Sequence, residues 1–341
     1  MLQREGTMTR PRKITQLILC LCAVCFLSAC IKHLEPGIIL YPTPQDNFAK
    51  IDTDVRGVLI HYREYPGAGR NIVLIHGFAS STYTWEDMVT ELQHTYKNNG
   101  KPSPHIWAVD MKGFGWSDKP AHAKYDPFAL ADDVYAWMNT VGIDNAVLVG
   151  NSLGGAIAWS IALDHPEKAE HLVLVDSGGY PTDGNNYTVF SRTPFMQVGT
   201  ELLFSRQLVA MVLRKAFYDR NKVTDSKVDA YFNRLRTKGA IDSQVLMFKT
   251  FNPEQARSYV NRIPDIKQET LILWGENDSW IPLKFGHQFK HDIKRSTLVV
   301  IPQCGHMPQE EKPREVAEKL YRFLEGIPQL PAIVNDLSKL T

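Results

Sequence analysis

Cysteine is scarce: Cys20, Cys22 and Cys25 fall in one apolar stretch near the N-terminus, Cys30 closes it, and Cys304 stands far away. An intramolecular disulfide in the body of the chain is thereby excluded, even in an oxidising compartment. Neither sign of charge dominates, since 38 basic side chains face 37 acidic ones and no like-charge block occurs. That excludes a basic surface for nucleic acid and a polybasic tail. Long apolar runs are missing as well: the best, Ile14 to Ala29, falls short of the ~20 residues that a membrane-spanning helix needs. No His, Asp, Glu and Cys spacing suits a metal, no strand–G-x-G-x-x-G–helix suits a nucleotide, and no repeat or low-complexity block is present. Neither cofactor nor metal is expected.

What is there begins with a processing signal. Arg4, Arg10, Arg12 and Lys13 against Glu5 precede the uncharged run, which is the pattern of a signal peptide. Leu27-Ser28-Ala29-Cys30 resembles the lipobox of bacterial lipoproteins, with an ordinary cleaved signal or an uncleaved anchor as alternatives. The resemblance implies removal of residues 1–29, lipid on Cys30 and a lipid-anchored place in a bacterial cell envelope. Ile31 is not the aspartate that often retains such proteins at the inner membrane, which favours the outer membrane if the cell is Gram-negative. Removing four basic residues and one acidic residue leaves 34 against 36, a side-chain charge of about −2 over residues 30–341. Residues 30–48, rich in proline and without period, are expected to form a tether.

The organising stretch is Val147-Leu148-Val149-Gly150-Asn151-Ser152-Leu153-Gly154-Gly155-Ala156. An apolar β run collapses into G-x-S-x-G and then into small residues suited to a helix start. A strand that reverses into a helix this abruptly holds its serine in strained backbone, and the flanking glycines leave room for it. The helix N-terminus then aims N–H groups at any anion formed beside Ser152.

Around that stretch, apolar strands alternate with helical spacing. Strands are expected at 57–65, 71–75, 106–109, 146–149, 171–175, 270–274 and 297–301, and helices at 84–92, 128–141, 153–165, 283–292 and 313–325. Such alternation means a mostly parallel sheet with helices on both faces. It breaks between 180 and 259, where helical runs at 201–217, 226–237 and 243–251 suggest an inserted helical cap. That cap carries seven of the fifteen phenylalanines: Phe190, Phe195, Phe204, Phe217, Phe232, Phe248 and Phe251. Most are expected to pack, the rest to line an apolar pocket. The division is therefore core 49–179, cap 180–259, core 260–326 and a C-terminal tail 327–341.

A serine hydroxyl needs a base to take its proton and a third group to orient the base. Two strand ends downstream supply them in the order Ser, Asp, His. Asp278 lies in the loop after 270–274 and His306 in the loop after 297–301; Asp176, also at a strand end, is an alternative acid. Asp110, in the run Asp110 to Pro120, reads as structural. His61, His94, His105, His165 and His171 read as surface or packing residues, and Cys304 as a small buried filler near His306.

With His76-Gly77-Phe78, the Asp110 to Pro120 run, the elbow and the two strand-end signals in this order, residues 55–325 resemble the α/β-hydrolase superfamily. The resemblance implies Ser152 as nucleophile, His306 as general base and then acid, and Asp278 as its orienting carboxylate. The backbone N–H groups of Phe78 and Leu153 would form the oxyanion hole. It further implies a cap-bearing, cofactor-free ester hydrolase of the carboxylesterase or lipase kind, acting on a small-molecule ester or lipid with an apolar acyl chain. Hydrolases of carbon–carbon bonds in ring-cleavage products share Gly-Asn-Ser-x-Gly-Gly and a Ser-Gly-Gly, here Ser177-Gly178-Gly179. They usually carry tryptophan after the catalytic histidine, where this chain has Met307. That activity is one alternative, and a lipoprotein that binds lipid without turnover is another.

Overall fold

The computed structural model describes residues 34–181 and 205–329. The expected signal peptide, Cys30, residues 182–204 of the cap with Phe190, Phe195 and Phe204, and most of the C-terminal tail lie outside these residues. The elements are β1 (Asp46–Ile51), β2 (Val58–Tyr65), β3 (Asn71–Ile75), α1 (Glu86–Asn98), β4 (His105–Val109), α2 (Pro127–Thr140), β5 (Ala146–Asn151), α3 (Leu153–Asp164) and β6 (Ala169–Val175). After these come α4 (Arg206–Ala216), α5 (Asp225–Leu235), α6 (Ala240–Thr250), α7 (Pro253–Val260), β7 (Glu269–Gly275), α8 (Lys284–Asp292), β8 (Ser296–Ile301), α9 (Pro308–Glu311) and α10 (Pro313–Leu324).

The strands form one eight-stranded sheet in the order β1-β2-β4-β3-β5-β6-β7-β8, antiparallel at β1–β2–β4 and parallel from β4 onward. A strand buried on both faces must be apolar at every position, which is why Ile72 to Ile75, Ala146 to Val149 and Leu271 to Trp274 read as continuous runs. The period of two then sorts their side chains. Ile72 and Leu74 of β3 join Met88, Val89 and Leu92 of α1 and Val316, Ala317 and Leu320 of α10 on one face. Val73 and Ile75 join Leu130 and Val134 of α2, Ile157 and Ile161 of α3, and Phe285 and Phe289 of α8 on the other. Cys304 is buried in the first of these cores, beside the loop that carries His306.

The cap forms a third core from Val209 and Leu213 of α4 and Val228, Tyr231 and Leu235 of α5, closed from below by Met307. A buried polar knot fastens it to the sheet: Lys227 and Tyr231 of α5 both bond Glu310, which also accepts from the Thr84 hydroxyl at 2.6 Å. Removing one partner from such a cluster orphans the rest in low dielectric, so the joint is fixed as well as stable.

Two departures from the sequence reading concern the N-terminal side and the cap. Residues 30–48 are not a tether throughout, because Asp46–Ile51 is an edge strand paired with β2 and Leu34 bridges to Thr237 in the cap. Strand β1 carries little apolar alternation; its register is held by Asp46, whose carboxylate bonds His61 at 2.9 Å and Arg63 at 2.7 Å. The core thus begins at Asp46 rather than 49. In the cap, α7 is an additional helix, started by Asn252, whose side chain accepts from the Glu254 and Gln255 N–H groups. Ring stacking of its Tyr259 on Phe128, with centroids 4.1 Å apart, holds it to the sheet domain.

Candidate active site

Strand β5 runs into α3 through a single residue, Ser152, with φ 55° and ψ −116°. A left-handed serine costs roughly 1–3 kcal/mol. Four bonds hold it there: the Ser152 N–H donates to Val175 O at 3.0 Å, and Ser152 O accepts from Gly155, Ala156 and Gly178 at 3.0, 3.2 and 2.8 Å. At about 1 kcal/mol net apiece they offset the strain. The glycines of the elbow are fixed by close approach. A Cβ on Gly150 would lie 2.1 Å from Gly154 O, and one on Gly154 would lie 2.1 Å from Ile75 O.

The structure brings Ser152, His306 and Asp278 to the same edge of the sheet. His306 Nδ1 and Asp278 Oδ2 are 2.6 Å apart, both side chains buried. The other oxygen of Asp278 accepts from the Trp280 and Ile281 N–H groups at 2.7 and 3.0 Å, which aims the carboxylate at the ring. Since the carboxylate can only accept, Nδ1 carries the proton and Nε2 is left basic. Ser152 Oγ and His306 Nε2 are both buried without a hydrogen-bond partner among the described residues, and both line one cavity. A nucleophile and a base that face a shared space with their polar atoms uncommitted can pass a proton when a carbonyl carbon sits between the walls.

Asp176 lies beside this pair but does not take the place of Asp278. Its Oδ1 accepts from the Gly275 N–H at 2.9 Å, at a positive φ of 44°. Burial, and then the charge of Asp278, push its carboxyl well above the usual carboxylate range, which favours its protonated form. Single ligand atoms of Asp176, Asp278 and His306 fall within 4.8 Å of one another, the one such cluster among the described residues. The bond between Nδ1 and Asp278 occupies atoms a metal would require, so the cluster fits a proton relay better than a cation.

Leu153 opens α3, where the first N–H groups have no partner inside the helix. Phe78 follows β3, and its peptide is aimed by His76, a role the sequence reading did not assign. The Met111 N–H donates to His76 Nε2 at 3.2 Å and the ring's Nδ1–H donates to Gly77 O at 2.7 Å. Burial lowers the pKa of His76 and keeps this neutral tautomer. In a trans peptide the Phe78 N–H points opposite to the Gly77 carbonyl, so fixing one fixes the other. Asn151 is the second residue missed: its side-chain amide donates to Val175 O and His306 O, each at 3.1 Å, and ties the histidine loop to the elbow. Motif spacing reveals such a residue as "x"; its duty shows only once the two loops are adjacent.

Asp110 is structural, as its surroundings show. It accepts from the Thr82 and Trp116 N–H groups at 2.6 and 2.8 Å and bonds His61 at 2.7 Å. His61 is wholly buried between Asp110 and Asp46; burial lowers its pKa, yet the two carboxylates more than reverse this and hold it protonated.

Two apolar cavities meet at Ser152 and Phe78. The first is walled by Leu153, Trp159, Phe248, Phe251 and Phe285, the second by Leu208, Val212, Leu213, Trp280, Met307 and His306. Of the cap phenylalanines, Phe248 and Phe251 therefore line the site, whereas Phe217 and Phe232 pack within the cap.

Sheet order, strand-to-helix elbow and strand-end loops define an α/β hydrolase. The family model described as "alpha/beta hydrolase fold" matches residues 70–313, and the chain belongs to that family. Among individual proteins it is 30% identical over 268 residues to 2-hydroxymuconate semialdehyde hydrolase of Pseudomonas sp. (strain CF600), covering 76% of this chain and 88% of that one. A crystal structure of a meta-cleavage product hydrolase superposes with a TM-score of 0.68 at 25% identity, covering 82% of this chain and 98% of the other. An N-acyl homoserine lactone degrading enzyme superposes at 0.62 with 27% identity, over 81% and 100%. The chain is thus a hydrolase, similar both to meta-cleavage product hydrolases and to an N-acyl homoserine lactone degrading enzyme.

Proposed function

We propose that this hydrolase cleaves carboxylic esters of apolar acyl chains through an acyl-enzyme on Ser152. His306 takes the Ser152 proton, Oγ attacks the carbonyl carbon, and the oxyanion sits against the Phe78 and Leu153 N–H groups. The intermediate collapses, His306 returns the proton to the departing alcohol, and water then repeats the sequence to free the acid. Each oxyanion donor typically contributes about 3 kcal/mol in the transition state, so the pair matters about as much as the base.

The observation that favours an ester over a ring-cleavage product is the lining. Among the described residues around both cavities there is no Lys or Arg. A diketone acid would bury its carboxylate against these described walls with no cation among them, a desolvation cost of several kcal/mol; a neutral ester has no such cost. Kinship to carbon–carbon hydrolases keeps the second reading in play. On p-nitrophenyl esters, kcat/KM is expected to climb about fourfold per added methylene, from ~0.8 kcal/mol each, until the first cavity is full, and then to fall. Assayed beside a vinylogous 1,5-diketone acid, the esters should be turned over faster. Brisk diketone cleavage with a flat, feeble ester series would reverse the reading, and no turnover of either would favour a lipid-binding protein.

We also propose that Cys30 carries lipid and holds the enzyme at a membrane. No helix among the described residues is long and apolar enough to span one. Leu34 accepts from the Lys238 N–H at 2.8 Å and Gly37 donates to Trp116 O at 3.2 Å, so the chain from Leu34 onward is strapped to the cap and to the loop after β4. Cys30→Ser should move the protein from the membrane to the soluble fraction with specific activity kept. Wild-type protein of unmodified intact mass, or a mutant that still sediments with membranes, would refute the anchor.

A further inference from the structure

Resting on the ester reading, the geometry points to an apolar alcohol moiety as the second half of the substrate: the ester is apolar on both sides of the bond that is cut. The leaving oxygen must receive its proton from His306 Nε2. His306 lines the second cavity and is absent from the wall of the first, while Ser152 and Phe78 belong to both. The carbonyl carbon therefore sits at the partition. The alcohol must extend into the second cavity, where the proton donor is, and the acyl chain into the first.

The second cavity is walled on the α4 side by Leu208, Val209, Val212 and Leu213 and opposite by Trp280 and Met307. Apart from Ser152, its described hydroxyls are already engaged: Ser80 Oγ and Tyr231 OH lie 3.2 Å apart, and Tyr231 OH bonds Glu310. Against these described walls, free hydroxyls on a polar alcohol such as glycerol would lack partners, each costing about tenfold or more in binding. Methylenes of an alkyl alcohol would instead gain about fourfold apiece. The substrate class is thus alkyl or aryl-alkyl esters of apolar acids, with glyceryl esters disfavoured.

The test holds the acid constant as butyrate and varies the alcohol from methyl to n-hexyl, with 1-glyceryl butyrate as the polar counterpart of the n-propyl ester. The purified full chain is followed by pH-stat, and kcat/KM reports the steps during which the alcohol is still attached. Simple alkanols are equally poor leaving groups, so a slope reflects binding. We expect a rise of about fourfold per carbon over the first few carbons, and a glyceryl ester slower than n-propyl by tenfold or more. Val212→Trp, which fills the second cavity, should flatten the alcohol series and leave the slope of the acyl series intact. A flat wild-type alcohol series beside a rising acyl series, or a fast glyceryl ester, would overturn the assignment while the ester reading stands. Flattening of the acyl series by Val212→Trp would show the cavities assigned the wrong way round, and no ester turnover at all would remove the ester reading and this inference together.

Discussion

Ser152→Ala is expected to lower kcat on a medium-chain p-nitrophenyl ester by about 10⁶-fold while the protein folds normally. Loss of the nucleophile alone removes nearly all that a Ser-His-Asp set supplies, leaving the ~10³–10⁴ over water that the oxyanion donors and binding provide. The fold is spared because Ser152 Oγ bonds no other described residue; the elbow is held by its backbone, which alanine retains. A thermal melt checks folding and a stopped-time assay checks turnover. A loss of less than about a hundredfold in a folded variant would mean that another group does the chemistry.

Asp278→Asn should cost about 10⁴-fold in kcat. An amide facing Nδ1 at this 2.6 Å contact would donate where the carboxylate accepts, placing the ring proton on Nε2 and leaving no base toward Ser152. Asp176→Asn is the control that makes the number informative. Burial and the neighbouring charge of Asp278 favour the protonated form of Asp176, which a neutral amide of the same shape mimics. Its effect on kcat should stay within about tenfold, with any change falling on stability. A greater kcat loss at 176 than at 278 would exchange the two roles.

The sheet was legible because burial on both faces leaves strands such as Asn71–Ile75 and Glu269–Gly275 with uninterrupted apolar runs. The elbow was legible because Gly150 and Gly154 answer to sterics, which admit no other side chain. Strand β1 was hidden since an edge strand buries half a face, and what aligns it is an ion pair from Asp46 to residues of β2. Helix α7, only eight residues long, is too short to display a period and reads instead from its Asn252-Pro253 start. Sequence order singled out Asp278 and Asp176 as rivals for His306; distance and the direction of two backbone donors separate them. His76, through the Met111 N–H, and Asn151, through His306 O, each bond a backbone group of a distant segment, a relation no local pattern records.

Rapid acid quench of the enzyme with p-nitrophenyl octanoate, followed by intact mass and peptide mapping, tests the account most directly. p-Nitrophenol leaves easily, so acylation should outrun deacylation and the intermediate should accumulate. The account predicts one octanoyl group on the peptide that contains Ser152 in the wild type, none in Ser152→Ala, and a p-nitrophenol burst equal to the adduct. Steady ester turnover with an unmodified Ser152 peptide, or an adduct on another residue, would contradict it.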